Sequence, residues 1–122
     1  MSFSSIQHIK KSKKPHACVC TGAVIPAGSP YVRFSGIWDG DFYSMCIHPV
    51  AAPIYERRNE ESWRAGDEGL CAGDLIEDII ENHVVSEEIQ LQDAEAICAI
   101  MPHKGLEVLI ATIKESIKHK TV

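Results

Sequence analysis

Aromatic and β-branched residues are concentrated in two adjacent segments, 31–38 and 41–48, which an Asp-Gly pair at 39–40 separates. Asp-Gly is favoured in two-residue type I′ turns, because both central residues of such a turn need a positive φ. The pattern therefore predicts a β-hairpin whose two-residue loop sets its register. In that register Trp38 faces Asp41 and Arg33 faces Cys46.

The hairpin register also predicts which side chains share a face. Side chains alternate between the two faces of a strand, so residues two apart point the same way. The same face then carries Phe42, Ser44, Cys46 and His48. We therefore expect the Cys46 and His48 side chains to point in one direction.

The second half of the chain carries helical patterns instead. After a capping Asp74, the apolar residues Leu75, Ile76, Ile79 and Ile80 are spaced one, three and four residues from one another, which predicts a first helix. A second begins at Ser86 and ends near Pro102, and a third runs from about Lys104 to Lys118. Three short amphipathic helices predict a small bundle. A short helix at or after Pro53 is expected before them, because proline suits a first helical turn.

The charge of the chain is uneven along its 122 residues. Residues 1–58 hold seven Lys/Arg and three acidic residues, giving +4, whereas residues 59–122 hold five and fourteen, giving −9. No apolar run approaches the roughly 18 residues of a membrane helix, and the N-terminus lacks the apolar core of a signal peptide. We therefore expect a cytoplasmic, non-membrane protein. Its five cysteines then fit free thiols or metal ligands better than disulfides.

Basic side chains in the first half are candidate contacts to phosphate. A short lysine run precedes Pro15, and it reads either as a solvated tail or as an arm that touches a nucleic-acid backbone. Three arginines further along the chain extend this candidate patch. The full set is Lys10, Lys11, Lys13, Lys14, Arg33, Arg57 and Arg58.

Residues 14–55 contain a recognisable series of short motifs. They are Lys-Pro-His-x-Cys from Lys14, then Gly22, Ile25, Gly28, Tyr-Val-Arg from Tyr31, Trp-Asp-Gly from Trp38, Phe-Tyr-Ser from Phe42, and His48-Pro49. With them the stretch from Lys14 to about Tyr55, a third of the chain, resembles a treble-clef-like zinc-finger family of small phage and prophage proteins. The resemblance implies a treble-clef-like module, a zinc ion and a phage or prophage origin.

The chain departs from this family at two of the four ligand positions. Cys18 and His48 are kept, but Thr21 and Ala51 stand where the family has cysteines. Two displaced cysteines lie close by, so the resemblance implies either of two outcomes. Zinc is held by a rebuilt set of four ligands, or the module is metal-free and its aromatic residues hold it together. The rebuilt set is Cys18, Cys20, Cys46 and His48.

These observations predict an α+β protein, with a small treble-clef-like β-hairpin module followed by a short three-helix bundle. The module and its basic arm occupy 1–63, and an acidic helical region packing on it occupies 64–122. We expect no enzyme activity, because a four-donor cluster without a further polar partner is more often structural. The leading hypothesis is a nucleic-acid-binding or regulatory protein of phage type. The alternative is an inhibitor that binds a host defence complex through its acidic helices.

Overall fold

The computed structural model describes residues 3–38, 40–64, 69–81 and 86–120. Five strands and four α-helices follow one another along these residues, with a single 3₁₀ turn at Ala72–Asp74 before the second helix. The strands are β1 (Phe3–Ile9), β2 (His16–Ala17), β3 (Val24–Ile25), β4 (Tyr31–Trp38) and β5 (Asp41–Ile47). The helices are α1 (Ala51–Arg64), α2 (Leu75–Glu81), α3 (Glu87–Ile100) and α4 (Lys104–Lys120). The chain therefore has an α+β fold.

The predicted hairpin is present as β4 and β5. Its register pairs Trp38 with Asp41 and Arg33 with Cys46, which confirms the register expected from a two-residue loop. Gly40 has a φ of 86°, a left-handed conformation that glycine adopts without strain. Asp39, the other residue of the predicted turn, lies outside the described residues.

The sequence pattern does not predict β1, which completes a three-stranded antiparallel sheet in the order β1-β4-β5. Its apolar residues recur at every third position, Phe3, Ile6 and Ile9, a spacing typical of neither a strand nor a helix. The two short strands β2 and β3 form a separate antiparallel pair, in a region whose glycines and prolines predict only turns.

Helix α1 begins at Ala51, two residues before the predicted start, and extends over 14 residues. Pro53 lies in its first turn. Backbone N–H groups there have no partner within the helix, so the missing N–H of proline costs no hydrogen bond. Helix α2 begins directly after the predicted cap Asp74, and α3 and α4 begin and end within about two residues of the predicted bounds. The described part of the chain therefore holds four α-helices. Residues 65–68, which follow α1, lie outside the described ranges. No described helix has the length and apolarity that crossing a bilayer requires.

One cluster of buried apolar side chains extends from the sheet to the helices. At the sheet, the Phe34 ring meets the Tyr55 ring edge-on at 5.5 Å between centroids, which joins β4 to α1. Among the helices, Ile79, Ile97 and Leu106 are fully buried, one each from α2, α3 and α4. The two-stranded β2–β3 pair contributes Ile25 to the same cluster. The core therefore fixes the turn between β2 and β3 relative to the start of α1.

Candidate functional site

Cys18 lies at the start of a tight turn between β2 and β3. Its carbonyl accepts a hydrogen bond from the Gly22 N–H at 2.7 Å, and its own N–H donates to the Ala23 carbonyl at 2.8 Å. Gly22 closes the turn with a φ of 80°, which favours glycine over residues that carry a Cβ. The turn thus holds the Cys18 side chain against the protein interior, where it is 2% exposed.

Several hydrogen bonds converge on the Cys18 sulphur. A side-chain hydrogen bond joins it to the Cys20 thiol, and the backbone N–H of His48 donates to it at 3.3 Å. The bond from Cys20 is the main reason that the pKa of Cys18 is lowered to about 5, against the opposing effect of burial. The same bond, together with burial, raises the pKa of the Cys20 thiol. The two thiols therefore titrate as a coupled pair.

His48 connects this sulphur to the start of α1. Its carbonyl accepts hydrogen bonds from the Ala51 N–H at 2.9 Å and the Ala52 N–H at 3.0 Å. Its ring Nδ1 accepts a hydrogen bond from the Val50 N–H at 3.1 Å. When Nδ1 of a neutral imidazole accepts, the ring proton lies on Nε2. His48 as oriented therefore offers no ring nitrogen with a free lone pair to a metal ion.

The four predicted zinc ligands do not converge in this arrangement. Cys18 and Cys20 are neighbours, but Cys46 lies in β5 opposite Arg33, and the His48 ring is engaged at Nδ1. Across the described ranges, no three side chains of His, Cys, Asp or Glu form a group able to hold a metal ion. Tetrahedral zinc coordination would require Cys46 and His48 to reorient. The rebuilt zinc site stays a prediction.

The lysine run forms the connection between β1 and β2. All four side chains are exposed, and none forms an ion pair with an acidic residue of the described part of the chain; they are Lys10, Lys11, Lys13 and Lys14. Positive charges without a local counter-charge attract polyanions, because no ion-pair partner among the described residues offsets their field. This connection is named the lysine loop below.

Ser12, in the middle of the lysine loop, is buried to 5% exposure. Its N–H donates to the Ser29 carbonyl at 2.9 Å, and its carbonyl accepts from the Gly28 N–H at 2.7 Å. Its hydroxyl donates to the Lys14 carbonyl. These bonds tie the lysine loop to the turn between β3 and β4, so the four lysines project from a fixed backbone.

Arg33 extends the positive charge beyond the lysine loop. Its Nη2 donates to the Tyr31 hydroxyl at 2.7 Å, and its guanidinium carbon lies 5.8 Å from the centre of the Tyr31 ring. The other neighbour of Tyr31 is the His16 ring, at 5.0 Å between centroids, two residues after Lys14. The lysine loop and Arg33 thus flank one aromatic pair, and together they are named the basic surface.

The other two predicted phosphate contacts lie elsewhere. Arg58 is 3% exposed, and its guanidinium donates to Asp78 at 2.9 Å and to Asp93 at 3.0 Å. Arg57 pairs with the same Asp93 carboxylate. Both arginines join α1 to other helices through these ion pairs. Sequence reasoning misses the two aspartates, because they are 20 and 35 residues from Arg58 and carry no local signal.

A comparison of the chain with protein-family models, with curated proteins and with solved structures found no match in any of the three. Function is therefore inferred from the geometry of the described residues and from the sequence.

Proposed function

We propose that this protein is a non-enzymatic nucleic-acid-binding protein whose basic surface contacts phosphate groups. The observation that carries the proposal is the lysine loop, in which four exposed lysines project from a backbone that buried Ser12 holds in place. Phosphate contacts from lysine supply affinity that does not depend on base sequence. A fixed loop loses less conformational entropy on binding than a mobile tail does.

The proposed scaffold is treble-clef-like. Three features support it: a tight turn at Cys18, a β-hairpin after it, and a helix that begins shortly after His48. The His48 N–H lies 3.3 Å from the Cys18 sulphur, so two positions that the resemblance assigns as ligands are neighbours. In this proposal hydrogen bonds do the structural work that a metal ion does in the family. The phage or prophage origin stays an expectation from the resemblance.

Cys18 does not offer a catalytic nucleophile in this proposal. Its lowered pKa fits a nucleophile, but the side chain is 2% exposed, and the His48 N–H holds the sulphur inside the protein. The ring Nδ1 of His48 accepts a hydrogen bond from the Val50 N–H, so this nitrogen is not free to act as a base for the Cys18 thiol. These contacts favour a structural role.

Fluorescence anisotropy with a labelled duplex DNA of about 20 base pairs tests the proposal, with a single-stranded RNA of equal length in parallel. The logarithm of the binding constant falls with the logarithm of salt concentration at about 0.9 per phosphate neutralised on duplex DNA. Four or five contacts predict a slope between about −3.6 and −4.5. The double variant Lys13→Ala/Lys14→Ala should reduce the magnitude of the slope by about 2.

The matched control is Lys114→Ala/Lys118→Ala, which removes two positive charges from α4 and leaves the basic surface unchanged. Its slope should equal that of the unmodified protein. An equal loss in both double variants would show a response to net charge alone and would contradict the assigned surface. Absence of binding to either nucleic acid at about 50 mM salt, where such contacts are strong, would contradict the proposed function.

The alternative function is inhibition of a host protein complex through the acidic helices. One observation favours it: residues 74–95 contain no Lys or Arg, and several of their carboxylates are exposed, namely Asp74, Glu77, Glu81, Glu88 and Glu95. Asp78 and Asp93 do not belong to this surface, since they pair with Arg58. An inhibitor of this kind would fail to bind nucleic acid by itself and would lose its target when Glu77 and Glu81 are changed to Gln.

A further inference from the structure

The outer edge of β1 is an open edge of the three-stranded sheet. The strand order is β1-β4-β5, and β1 hydrogen-bonds β4 on one side only. No other strand of the described residues pairs with its second side. Alternate backbone N–H and C=O groups on that side therefore face away from the sheet and are available to another strand.

Strand β1 lacks the features that usually protect such an edge. It contains no charged residue and no proline, and its pairing with β4 continues without a bulge from Phe3 to Ile9. Ile6, at its centre, is 46% exposed. The opposite edge of the sheet is partly covered, because the Val19 N–H donates to the Cys46 carbonyl of β5 at 3.0 Å. An unprotected, uncharged edge of seven residues is typical of strands that pair with another chain.

We propose that two copies of this protein pair their β1 strands antiparallel about a two-fold axis at Ile6, which joins two three-stranded sheets into one of six strands. A two-fold interface requires a strand that is complementary to itself. In this register Ile6 faces the Ile6 of the second copy, and Ser5 faces Gln7. Apolar side chains therefore lie opposite apolar side chains, and polar side chains lie opposite polar ones.

Other registers match less well. A two-fold axis at Gln7 instead would place Ile6 opposite His8 and Ser5 opposite Ile9, which sets apolar side chains against polar ones. A slip of one residue by one strand alone would put the two exposed Ile6 side chains on opposite faces of the joined sheet. The axis at Ile6 is the register in which the two exposed isoleucine side chains lie opposite each other on the same face.

The position of the lysine loops selects the antiparallel arrangement. In the proposed pairing, Lys10 of one copy lies eight residues along the strand from Lys10 of the other, or about 27 Å. That distance is well beyond the Debye length of about 10 Å at ordinary salt, so the two loops do not repel each other. A parallel arrangement would place the two loops about 5 Å apart and is disfavoured.

Analytical ultracentrifugation without nucleic acid tests the pairing. The unmodified protein should change from monomer to dimer between about 5 µM and about 500 µM. Ile6→Lys places like charges directly opposite each other and should weaken dimerisation roughly tenfold or more. Val24→Lys, at a 69% exposed position of β3, adds the same charge outside the interface and should leave the equilibrium unchanged.

Amide hydrogen exchange of the unmodified protein tests the same pairing without any variant, so the result does not depend on whether Ile6→Lys folds. In the unmodified protein, amides of Phe3–Ile9 should become more protected as concentration rises from about 5 µM to about 500 µM, while those of β5 stay constant. A monomer at every concentration would overturn the proposal, even if a different protein pairs with this edge. A dimer that Ile6→Lys leaves intact, with no change in exchange at β1, would overturn it equally. Neither result depends on binding to nucleic acid.

Discussion

Arg58 and Asp93 form a buried ion pair between α1 and α3, with the Arg58 Nε 3.0 Å from the Asp93 Oδ2. Both side chains are almost fully buried, at 2% and 4% exposure. Arg58 also pairs with Asp78 of α2 at 2.9 Å. One guanidinium therefore connects three helices, and its charge is offset inside the protein.

Removal of the Asp93 charge should be strongly destabilising. Asp93→Asn leaves Arg58 buried with one partner fewer, and breaking a buried ion pair on one side costs about 3 to 5 kcal/mol. Urea unfolding followed by circular dichroism measures the change. Glu95→Gln on the same helix is the matched control. The Glu95 carboxylate is half exposed and lies 3.7 Å from Lys114, so its loss should cost less than about 1 kcal/mol. Equal effects of the two variants would contradict the role assigned to Arg58.

Tyr55 should make the protein less stable in alkali. Burial raises the pKa of Tyr55 to about 12, and its hydroxyl donates to the Leu70 carbonyl at 2.9 Å. Below about pH 10 this tyrosine is neutral in both the folded and the unfolded chain; above it, only the unfolded chain ionises. The free energy of unfolding should therefore fall from about pH 10 upward, by about 2 to 3 kcal/mol in total at about pH 12.

Tyr55→Phe isolates this contribution from other groups that ionise in the same range. The variant should start about 1 kcal/mol less stable at neutral pH, because the Leu70 carbonyl loses its donor. Its unfolding free energy should then change less steeply with pH than that of the unmodified protein. Urea unfolding at several pH values between about 9 and 11 gives the comparison. The same pH dependence in both proteins would refute the assignment.

Ser12 should control affinity for nucleic acid without contributing charge. Ser12→Ala removes the hydroxyl bond to the Lys14 carbonyl and loosens the lysine loop, which should weaken binding about three- to tenfold, the equivalent of one hydrogen bond. The salt slope should not change, since all four lysines remain. Ser44→Ala, at an exposed position of β5, serves as the control and should bind normally. A smaller salt slope for Ser12→Ala would contradict this prediction, because it would mean that fewer phosphate contacts form although all four lysines remain.

Metal content separates the rebuilt zinc site from a metal-free module. Because His48 accepts the Val50 N–H at Nδ1 and no three possible ligand side chains of the described residues form a metal-holding group, we expect protein purified without added zinc to be folded and metal-free. Its melting temperature should not respond to a chelator. Stoichiometric zinc in the unmodified protein, lost in Cys18→Ser, would contradict this expectation and would establish the rebuilt site.

The sequence predicts those parts of the fold that local signals determine. An Asp-Gly pair between two β-rich segments sets the register that places Arg33 opposite Cys46. Apolar residues with helical spacing locate α2, α3 and α4. Strand β1 is different, because its apolar residues follow neither period, and it becomes a strand only by pairing with β4. A strand that forms only by pairing with a distant strand does not need a period-two pattern of apolar residues in its own sequence.

Much of the candidate site depends on contacts between distant residues. The lysine run is visible in the sequence, but the burial of Ser12 among the lysines depends on Gly28 and Ser29. Arg57 and Arg58 resemble surface charges in the sequence, and only the fold brings Asp93 to them. The displaced cysteines suggest a metal set, whereas the turn at Cys18 directs its sulphur to the His48 N–H. Residue types indicate the chemistry available, and the tertiary contacts select among the possibilities.

The most direct test of the central claim is an amide NMR titration of the protein with short duplex DNA at about 50 mM salt, where phosphate contacts are strong. The account predicts that the largest shifts fall on the lysine loop and on the turn that holds it, from Lys10 to Lys14 and at Gly28 and Ser29. Arg57 and Arg58 should not shift. Shifts centred on α2 and α3, or none, would contradict nucleic-acid binding by the basic surface.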